Sequence, residues 1–308
     1  MISASNSANT LNISAAALEI VAASDVTAVF VYDTAKDSDG GAWRNKTSGT
    51  SWYKETLNTS TRGSRAQFPS KALIVCRSSS LAYITIYDLD DPACPMWMSG
   101  FGNDFILQTY QTSVKALNGH LYFGANNVNG YAPDMDLIAN RVTMYTMYGT
   151  FTAIGGIENR GSWANGGVTS QATFVGVVND IAVTVLPLTQ FNPLRCNLPN
   201  PTIALGLSGG TSIVRHDGVV VNSASSTAVI STCFDKPKNP QVAPNLWTVT
   251  ASNLYVTNSY LAASWNNAAI ATFTAAQLNV GTLVSVRAIP GGVAVAGSTG
   301  LEIGRAHV

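Results

Sequence analysis

The sequence has little charge of either sign. Only 11% of its 308 residues are Asp, Glu, Lys or Arg, and 17 basic residues balance 17 acidic ones. Nucleic-acid affinity comes mainly from clustered Lys and Arg side chains that neutralise phosphates, and the one basic cluster here is Arg62, Arg65 and Lys71. The composition therefore argues against a nucleic-acid partner. Ser, Thr, Asn and Gly must cover the surface instead, a balance common in extracellular adhesins and virion proteins.

Long apolar runs are also lacking. No run approaches the ~18 apolar residues of a membrane span, and residues 1–10 have neither the basic region nor the apolar core of a signal peptide. The sequence therefore predicts neither a membrane span nor a secretion signal.

Cysteine is scarce and scattered. Cys76, Cys94, Cys196 and Cys233 are far apart and form no Cys-x-x-Cys pair. We therefore expect buried free thiols rather than zinc ligands or a disulfide scaffold.

Histidine is scarcer still, which leaves little material for Ser/His or Cys/His catalysis. His120 follows Asn118-Gly119, and His216 precedes Asp217-Gly218. Both dipeptides mark hairpin turns, so we interpret the two histidines as turn residues. The Gly-rich stretches lack the strand-to-helix context and the Gly-Lys-Ser/Thr ending of phosphate-binding loops. We therefore expect no cofactor.

The chain does contain one pattern that returns at intervals: a short run of β-formers followed by Gly, Ser or Asn. Such runs begin at positions 28, 72, 121, 203, 254 and 293, in steps of 44, 49, 82, 51 and 39 residues. Units of about 40–50 residues with several short strands each are typical of β-propeller blades. The sequence therefore predicts an all-β fold, a β-propeller-like array of at least five short antiparallel sheets.

Runs of β-formers between turn signals predict the individual strands. They are Ala72–Cys76, Leu81–Tyr87, Val114–Phe123, Arg141–Tyr148, Ile181–Leu186, Thr202–Leu207, Thr211–Arg215, Val219–Val221, Val229–Thr232, Trp247–Thr250, Leu254–Thr257 and Leu283–Ala288. No window keeps a 3.6-residue period over three turns, and only Ser51–Leu57 is a candidate for one helical turn. Residues 126–167 are rich in Asn and Gly and have the weakest repeat signal, so we expect a long loop there.

The composition divides the chain into three parts. Residues 1–17 are rich in Ser, Ala and Asn and predict a flexible arm or a first edge strand, and residues 18–301 form the propeller-like domain, with a Trp-rich segment at 43–98. Residues 302–308 resemble the translation of a common sequencing-adapter sequence. We therefore interpret them as a non-native tail and expect the domain to be truncated after Leu301.

The Trp-rich segment has two interpretations. Trp43, Trp52, Tyr53 and Trp97 form an exposed platform for glycan stacking if their rings face solvent, because aromatic faces suit the apolar faces of sugars. Large aromatic side chains are more often buried, and these residues then plug or cover the first blade. Both interpretations stay open at this point.

Asp88, Asp90 and Asp91 lie at the end of a predicted strand. Their oxygens suit a weak calcium site, and a solvated turn is the alternative. Glycoside hydrolysis needs two carboxyl groups ~5–9.5 Å apart, so an enzymatic site would gather carboxylates from several loops. The candidates for such a site are Asp88, Asp91, Asp134 and Asp136.

Several of these segments resemble a group of uncharacterised tailed-bacteriophage virion proteins that are tail- or fibre-like. The leading region is similar in Trp43-Arg44, Ser51-Trp-Tyr53, Glu55–Thr59, Arg62–Arg65, Phe68-Pro69, Thr85–Asp88, Asp91-Pro92 and Pro95–Met98, and the later region in Val178–Pro187 and Pro201–Ala204. The likeness covers much of residues 25–220. It implies a phage tail or fibre component with a propeller-like body, and it supplies no catalytic residues.

The resemblance and the composition together predict a non-enzymatic structural or receptor-binding component of a phage virion. We expect it to be made in the host cytoplasm and to bind other virion proteins or host-surface glycans. The sequence is compatible with a monomer or an oligomer. The alternative is a carbohydrate-active or carbohydrate-binding propeller, either a lyase or hydrolase with carboxylates in an axial cleft or a lectin-like protein.

Overall fold

A computed structural model confirms the all-β prediction. It describes residues 3–5, 10–12, 25–48, 62–78, 84–100, 110–127, 129–160, 164–170, 176–223, 227–237, 239, 241–258, 271–290 and 292–305. Five antiparallel sheets form the five blades of a β-propeller. Helical segments in these ranges are short: an α-helix at Ala275–Leu278 and 3-10 turns at Thr34–Lys36, Ala42–Thr47, Ile157–Asn159 and Pro193–Arg195.

Each blade is built from strands that follow one another in the chain, so most of the pairing is local. A separate pair precedes the blades, β1 (Ser3–Ser5) with β2 (Thr10–Asn12). Blade one contains β3 (Val26–Asp33), β4 (Lys71–Arg77), β5 (Ile84–Asp88) and β6 (Met96–Gly100). Blade two contains β7 (Gln111–Leu117), β8 (His120–Ala125), β9 (Ala132–Asp136), β10 (Arg141–Thr146), β11 (Gly149–Ile154) and β12 (Ala164–Ser170).

The remaining blades are smaller. Blade three contains β13 (Val178–Thr184), β16 (Thr202–Leu207), β17 (Gly210–Val214) and β18 (Val220–Asn222), and a ribbon of β14 (Phe191–Asn192) and β15 (Leu198–Pro199) lies in the connection from β13 to β16. Blade four contains β19 (Ser231–Phe234), β20 (Leu246–Val249), β21 (Asn253–Thr257) and β22 (Ala271–Thr274). Blade five contains β23 (Leu283–Ile289), β24 (Gly292–Gly297) and β25 (Gly300–Arg305).

The first strands of the blades lie side by side around the propeller axis. Contacts join β3 to β7, β7 to β13, β13 to β19, and β19 to β23. Asp180 on β13 is the polar centre of this arrangement. One of its carboxylate oxygens accepts from Ser113 Oγ of blade two at 3.1 Å, and the other accepts from Ser231 Oγ of blade four and Arg287 Nη1 of blade five, both at 2.8 Å. A single buried carboxylate thus connects four blades.

Hydrophobic cores fill the spaces between neighbouring blades. The largest lies between blades one and two, where the Phe68 ring centroid is 5.5 Å from that of Trp43 and 5.1 Å from that of Trp97. Further clusters join blades two and three, three and four, and four and five. Because these cores join each blade to the next from blade one to blade five, the sheets stabilise one another.

The turn between β7 and β8 is a contact point for blades one and three. Asn118 and Gly119 have φ values of 53° and 76°, as a two-residue hairpin turn requires. The Asn118 N–H donates to Asp37 Oδ1 at 2.8 Å, and the Gly119 N–H donates to the Tyr32 hydroxyl at 2.9 Å. Toward blade three, the side-chain amide of Asn118 donates through Nδ2 to the Pro199 carbonyl at 3.0 Å.

Two predictions in blade two were wrong. Within 126–167, where a long loop was expected, β10 confirms the predicted strand Arg141–Tyr148, but β9, β11 and the start of β12 also lie there. The expected single strand Val114–Phe123 is two strands, because the Asn118-Gly119 turn interrupts it. The candidate helical turn at Ser51–Leu57 lies outside the described residues.

Both ends of the chain contribute strands. Within the predicted arm 1–17, β1 pairs with β2. Residues 302–305 of the predicted tail belong to β25, which pairs with β24 of blade five. No helix in the described ranges is long and apolar enough to cross a membrane.

The four cysteines are free thiols, as predicted, and only Cys196 is more than marginally accessible. Burial raises the pKa of the Cys76 thiol, and it raises that of Cys233 to about 12. Since the thiolate is the reactive form, we expect a thiol reagent at pH 8 to modify at most one cysteine per folded chain and all four after denaturation. Mass spectrometry of the labelled protein measures this directly. Rapid labelling of Cys76 in the folded protein would contradict the packing of blade one.

Candidate ligand-binding site

A cleft of about 450 Å³ lies between blades two and three. Polar and aromatic side chains from both blades line it. Blade two contributes His120, Tyr122, Asp134, Arg141 and Tyr145. Blade three and its ribbon contribute Asn192, Arg195, Asn200, Arg215, His216 and Asp217. We refer to it as the interblade cleft.

His120 is held by its neighbours on blade two. It begins β8, and the register of β8 with β9 places Tyr122 opposite Asp134 and His120 opposite Asp136. His120 Nδ1 lies 2.7 Å from Asp134 Oδ1, and the imidazole stacks on the Tyr122 ring at a centroid distance of 5.3 Å. A carboxylate at Nδ1 favours a proton on that nitrogen. His120 Nε2 is buried and has no hydrogen-bond partner.

Arg195 connects the ribbon of blade three to blade two. Its Nη2 donates to Asp136 Oδ1 at 2.9 Å, and its Nη1 donates to Asn200 Oδ1 at 2.9 Å. Burial alone would raise the pKa of Asp136, but electrostatic interactions with His120 and Arg195 and the N–H of Ala139 outweigh it, so the pKa lies below its ordinary value. Asp136 is therefore an anion that holds Arg195 in place.

Unsatisfied buried atoms concentrate around the interblade cleft. His120 Nε2, Arg195 Nε and His216 Nδ1 belong to residues that line it, and Asp136 Oδ2 lies directly behind Arg195; none of the four has a hydrogen-bond partner. Buried polar atoms in proteins are nearly always hydrogen-bonded, and the exceptions frequently mark functional sites. The walls of the cleft therefore contain unsatisfied polar atoms, all of them buried from solvent.

The two tyrosines of the cleft stay protonated. Burial and then the negative charge of Asp134 raise the pKa of Tyr122 well above its usual value, and the same two causes raise that of Tyr145. Both phenols therefore keep their hydroxyl protons, and their rings supply apolar surface beside the polar groups.

A second cavity, of about 260 Å³, lies on the propeller axis. Asp180, Lys115 and Arg287 line it with residues of the five first strands. Burial lowers the pKa of Lys115. The Asp180 carboxylate already accepts hydrogen bonds from three other blades. The polar groups of this cavity therefore have a structural role, whereas the interblade cleft has buried polar atoms without partners.

The structure places two of the four predicted aromatic platform residues in the core. Trp43 and Trp97 are 1% and 0% exposed, and their indole N–H groups donate to Asp37 Oδ2 and to the Gln67 carbonyl. Neither ring presents a face to solvent, so the packing interpretation describes these two residues. Trp52 and Tyr53 lie outside the described residues.

The predicted metal ligands Asp88, Asp90 and Asp91 have other partners. Asp88 Oδ2 pairs with Arg65 Nε at 2.5 Å, Asp90 accepts from Ser70, and Asp91 Oδ1 accepts from the backbone of its own turn at 2.9 Å. The described part of the chain contains no group of three or more His, Cys, Asp or Glu residues arranged to hold a metal ion. The three carboxylates therefore bond the turn and its arginine, and Asp88 is buried rather than solvated, at 2% exposed.

The structure brings together two of the four carboxylates proposed for an enzymatic site, Asp134 and Asp136 on β9. Asp134 lines the interblade cleft and Asp136 lies behind it, whereas Asp88 and Asp91 belong to blade one and line neither of the two cavities. The second carboxylate in the cleft lining is Asp217, which pairs with Arg215 at 2.7 Å.

Sequence reasoning missed the two central residues of the interblade cleft. His120 is a buried strand residue, so its assignment to a turn was wrong, whereas His216 does lie in the predicted turn. Arg195 was not singled out. One signal was available: Asp134 and Asp136 are two residues apart, which places them on one face of a strand, and His120-x-Tyr122 has the same spacing.

No protein-family model matches the chain, and no curated protein does. Solved structures give distant likenesses. The WD40 repeats of RRP9 are 7% identical over 91% of this chain and 79% of that one, with a TM-score of 0.44. Sqt1 from Chaetomium thermophilum is 15% identical over 75% and 54%, with a TM-score of 0.41, and the designed Ika8 protein is 10% identical over 78% and 84%, with a TM-score of 0.35. At these scores the five-bladed architecture rests on the strand pairings of the chain itself.

Proposed function

We propose that this protein is a non-enzymatic receptor-binding component of a phage tail or fibre, and that its receptor is a host-surface glycan. The observation that carries the proposal is the interblade cleft, with its buried, unpaired polar atoms beside two tyrosine rings. The resemblance of residues 25–220 to phage virion proteins and the low surface charge support the placement in a virion.

The chemistry of the cleft suits a sugar. Ring hydroxyls donate and accept at once, so they suit a lining that contains arginine donors and carboxylate acceptors. The aliphatic face of a sugar packs against aromatic rings such as Tyr145. A volume of about 450 Å³ lies within the range of small-molecule sites.

The pairing of the carboxylates supports binding rather than hydrolysis. Asp134 pairs with His120, Asp136 with Arg195, and Asp217 with Arg215. A glycosidase acid must hold a proton near neutral pH while its partner stays ionised. The pKa values of Asp136 and Asp217 lie below their ordinary range, and the arginine beside each favours its ionised form.

We expect the purified protein to bind bacterial surface glycans on an array, and Tyr145→Ala to weaken that binding about ten-fold through loss of the stacking surface. Tyr148→Ala is the matched control, because Tyr148 is on the adjacent turn, 62% exposed and outside the cleft. If both variants bound the glycan equally well, its binding site would lie elsewhere. If the parent protein bound no glycan on the array, the result would contradict the proposal.

The placement in a virion is tested separately by the neighbouring genes. Genes for a tail tube, a baseplate or a tape-measure protein beside this one would support it. A position within a bacterial metabolic operon would contradict it.

A carbohydrate-active propeller is the second candidate, and His120 is the observation that favours it. Asp134 orients the imidazole, and the unpaired Nε2 belongs to a cleft-lining residue, as in a general base awaiting a substrate proton. Prolonged incubation with host polysaccharide distinguishes the two functions. New reducing ends or unsaturated products that disappear in His120→Ala would identify an enzyme, and intact polysaccharide would leave the binding function.

A further inference from the structure

We infer that the interblade cleft selects acidic sugars and that Arg141 binds the sugar carboxylate. This inference rests on the proposed glycan-binding function and specifies the class of glycan. It follows from how the charges around the cleft are paired.

Two of the three arginines that line the cleft have an anionic partner. Arg195 pairs with Asp136 at 2.9 Å and Arg215 with Asp217 at 2.7 Å. Arg141 lines the cleft and is exposed, and among the described residues its guanidinium has no ion-pair or hydrogen-bond partner. Arg141 is therefore the one guanidinium of the cleft lining that is available to an anionic ligand.

The position of Arg141 is fixed by the hairpin before it. Asn140 adopts a left-handed φ of 50°, and Arg141 then begins β10 opposite Asp136 of β9. The Asn140 side chain is itself bonded to Glu158 and to the Ile157 N–H, which anchors the turn. A guanidinium presented from an anchored strand end suits a carboxylate, because its N–H groups match both oxygens.

The exposed and interior parts of the cleft then bind different groups of one sugar. Arg141 binds the carboxylate in the solvent-exposed part, while the polar and aromatic side chains of the lining contact the sugar ring. Asp134 and Asp217 also line the cleft, and their charges oppose a doubly charged group. One available guanidinium matches one carboxylate, which favours a monoanion such as a uronic acid over a phosphate or a clustered sulfate.

The test uses oligogalacturonate and the same oligosaccharide after chemical reduction of its carboxyl groups, with affinities measured by titration calorimetry. Charge-assisted contacts contribute roughly 1.5–3 kcal/mol, which is about ten-fold to a hundred-fold in Kd. We expect the acidic form to bind at least about ten-fold tighter than the reduced form. In Arg141→Ala the two forms should bind alike, and Arg141→Lys should recover part of the preference.

Lys36→Ala is the charge-matched control, because the Lys36 side chain is 79% exposed and lies in blade one; it should keep the full preference. Equal affinity of the parent protein for the acidic and reduced forms would overturn the inference while leaving glycan binding intact. Tighter binding of sulfated than of carboxylated oligosaccharides would overturn the assignment to a carboxylate. Failure of the parent to bind any glycan, acidic or neutral, would overturn the proposed function and this inference with it.

Discussion

Replacement of Asp180 by alanine is expected to lower the free energy of unfolding by about 3–5 kcal/mol, the usual cost of breaking a buried charged network from one side. The Asp180 carboxylate is 5% exposed and accepts hydrogen bonds from blades two, four and five. Its removal leaves the hydroxyls of Ser113 and Ser231 without their acceptor. Arg287 should contribute little to the loss, because its side chain is 53% exposed and water screens its charge.

Urea denaturation followed by tryptophan fluorescence measures the change. Asp217→Ala is the matched control: Asp217 also pairs with an arginine, but its side chain is 37% exposed, so we expect a change of at most about 1 kcal/mol. If both variants unfolded at the same urea concentration, Asp180 would not be the connection between the blades.

Trp97→Ala is expected to destabilise the protein by a similar amount, about 3–5 kcal/mol, because it opens a cavity in the core between blades one and two. Trp97 packs edge-on against Phe68, and the guanidinium of Arg62 lies 5.7 Å from its ring centroid. The Gln67 carbonyl also loses the hydrogen bond that it accepts from the Trp97 indole N–H. Thermal unfolding monitored by circular dichroism gives the shift.

Phe191→Ala provides the comparison, since Phe191 is a large aromatic residue that is 69% exposed; its removal should change stability little. Trp97→Ala should also leave the affinity of the folded fraction for glycans unchanged. If the Trp97→Ala variant kept its stability and lost glycan binding, Trp97 would be part of a glycan-binding surface rather than of the core.

The periodic part of the fold was predictable because its cause is local. Strands such as β16 and β21 combine β-branched and other apolar residues with flanking turn signals, and these properties are visible within a few residues. β9 is different: its sequence, Ala-Pro-Asp-Met-Asp, contains residues that are depleted in strands. It is paired on both sides, with β8 and β10, and Asp134 and Asp136 contact His120 and Arg195, neither of which is adjacent in the sequence.

The interblade cleft was less predictable for the same reason. Arg195 and Asp136 are 59 positions apart, and their contact depends on how blade three packs against blade two. The sequence could show that Asp134 and Asp136 share a strand face. Which cations meet them, and which atoms stay unpaired, is decided by the packing of the two blades.

The Asn118-Gly119 turn has a consequence for the order of folding. Strand pairs within a blade join residues that are close in the chain, and hairpins of this kind form within microseconds. The bonds of this turn to Asp37 and to Pro199 each span 81 positions, so they can form only after two separate segments have reached the same place. Contacts of such long sequence separation slow folding. We therefore expect the blades to acquire strand structure early and to dock around this turn late, with the interblade cleft completed in that final step.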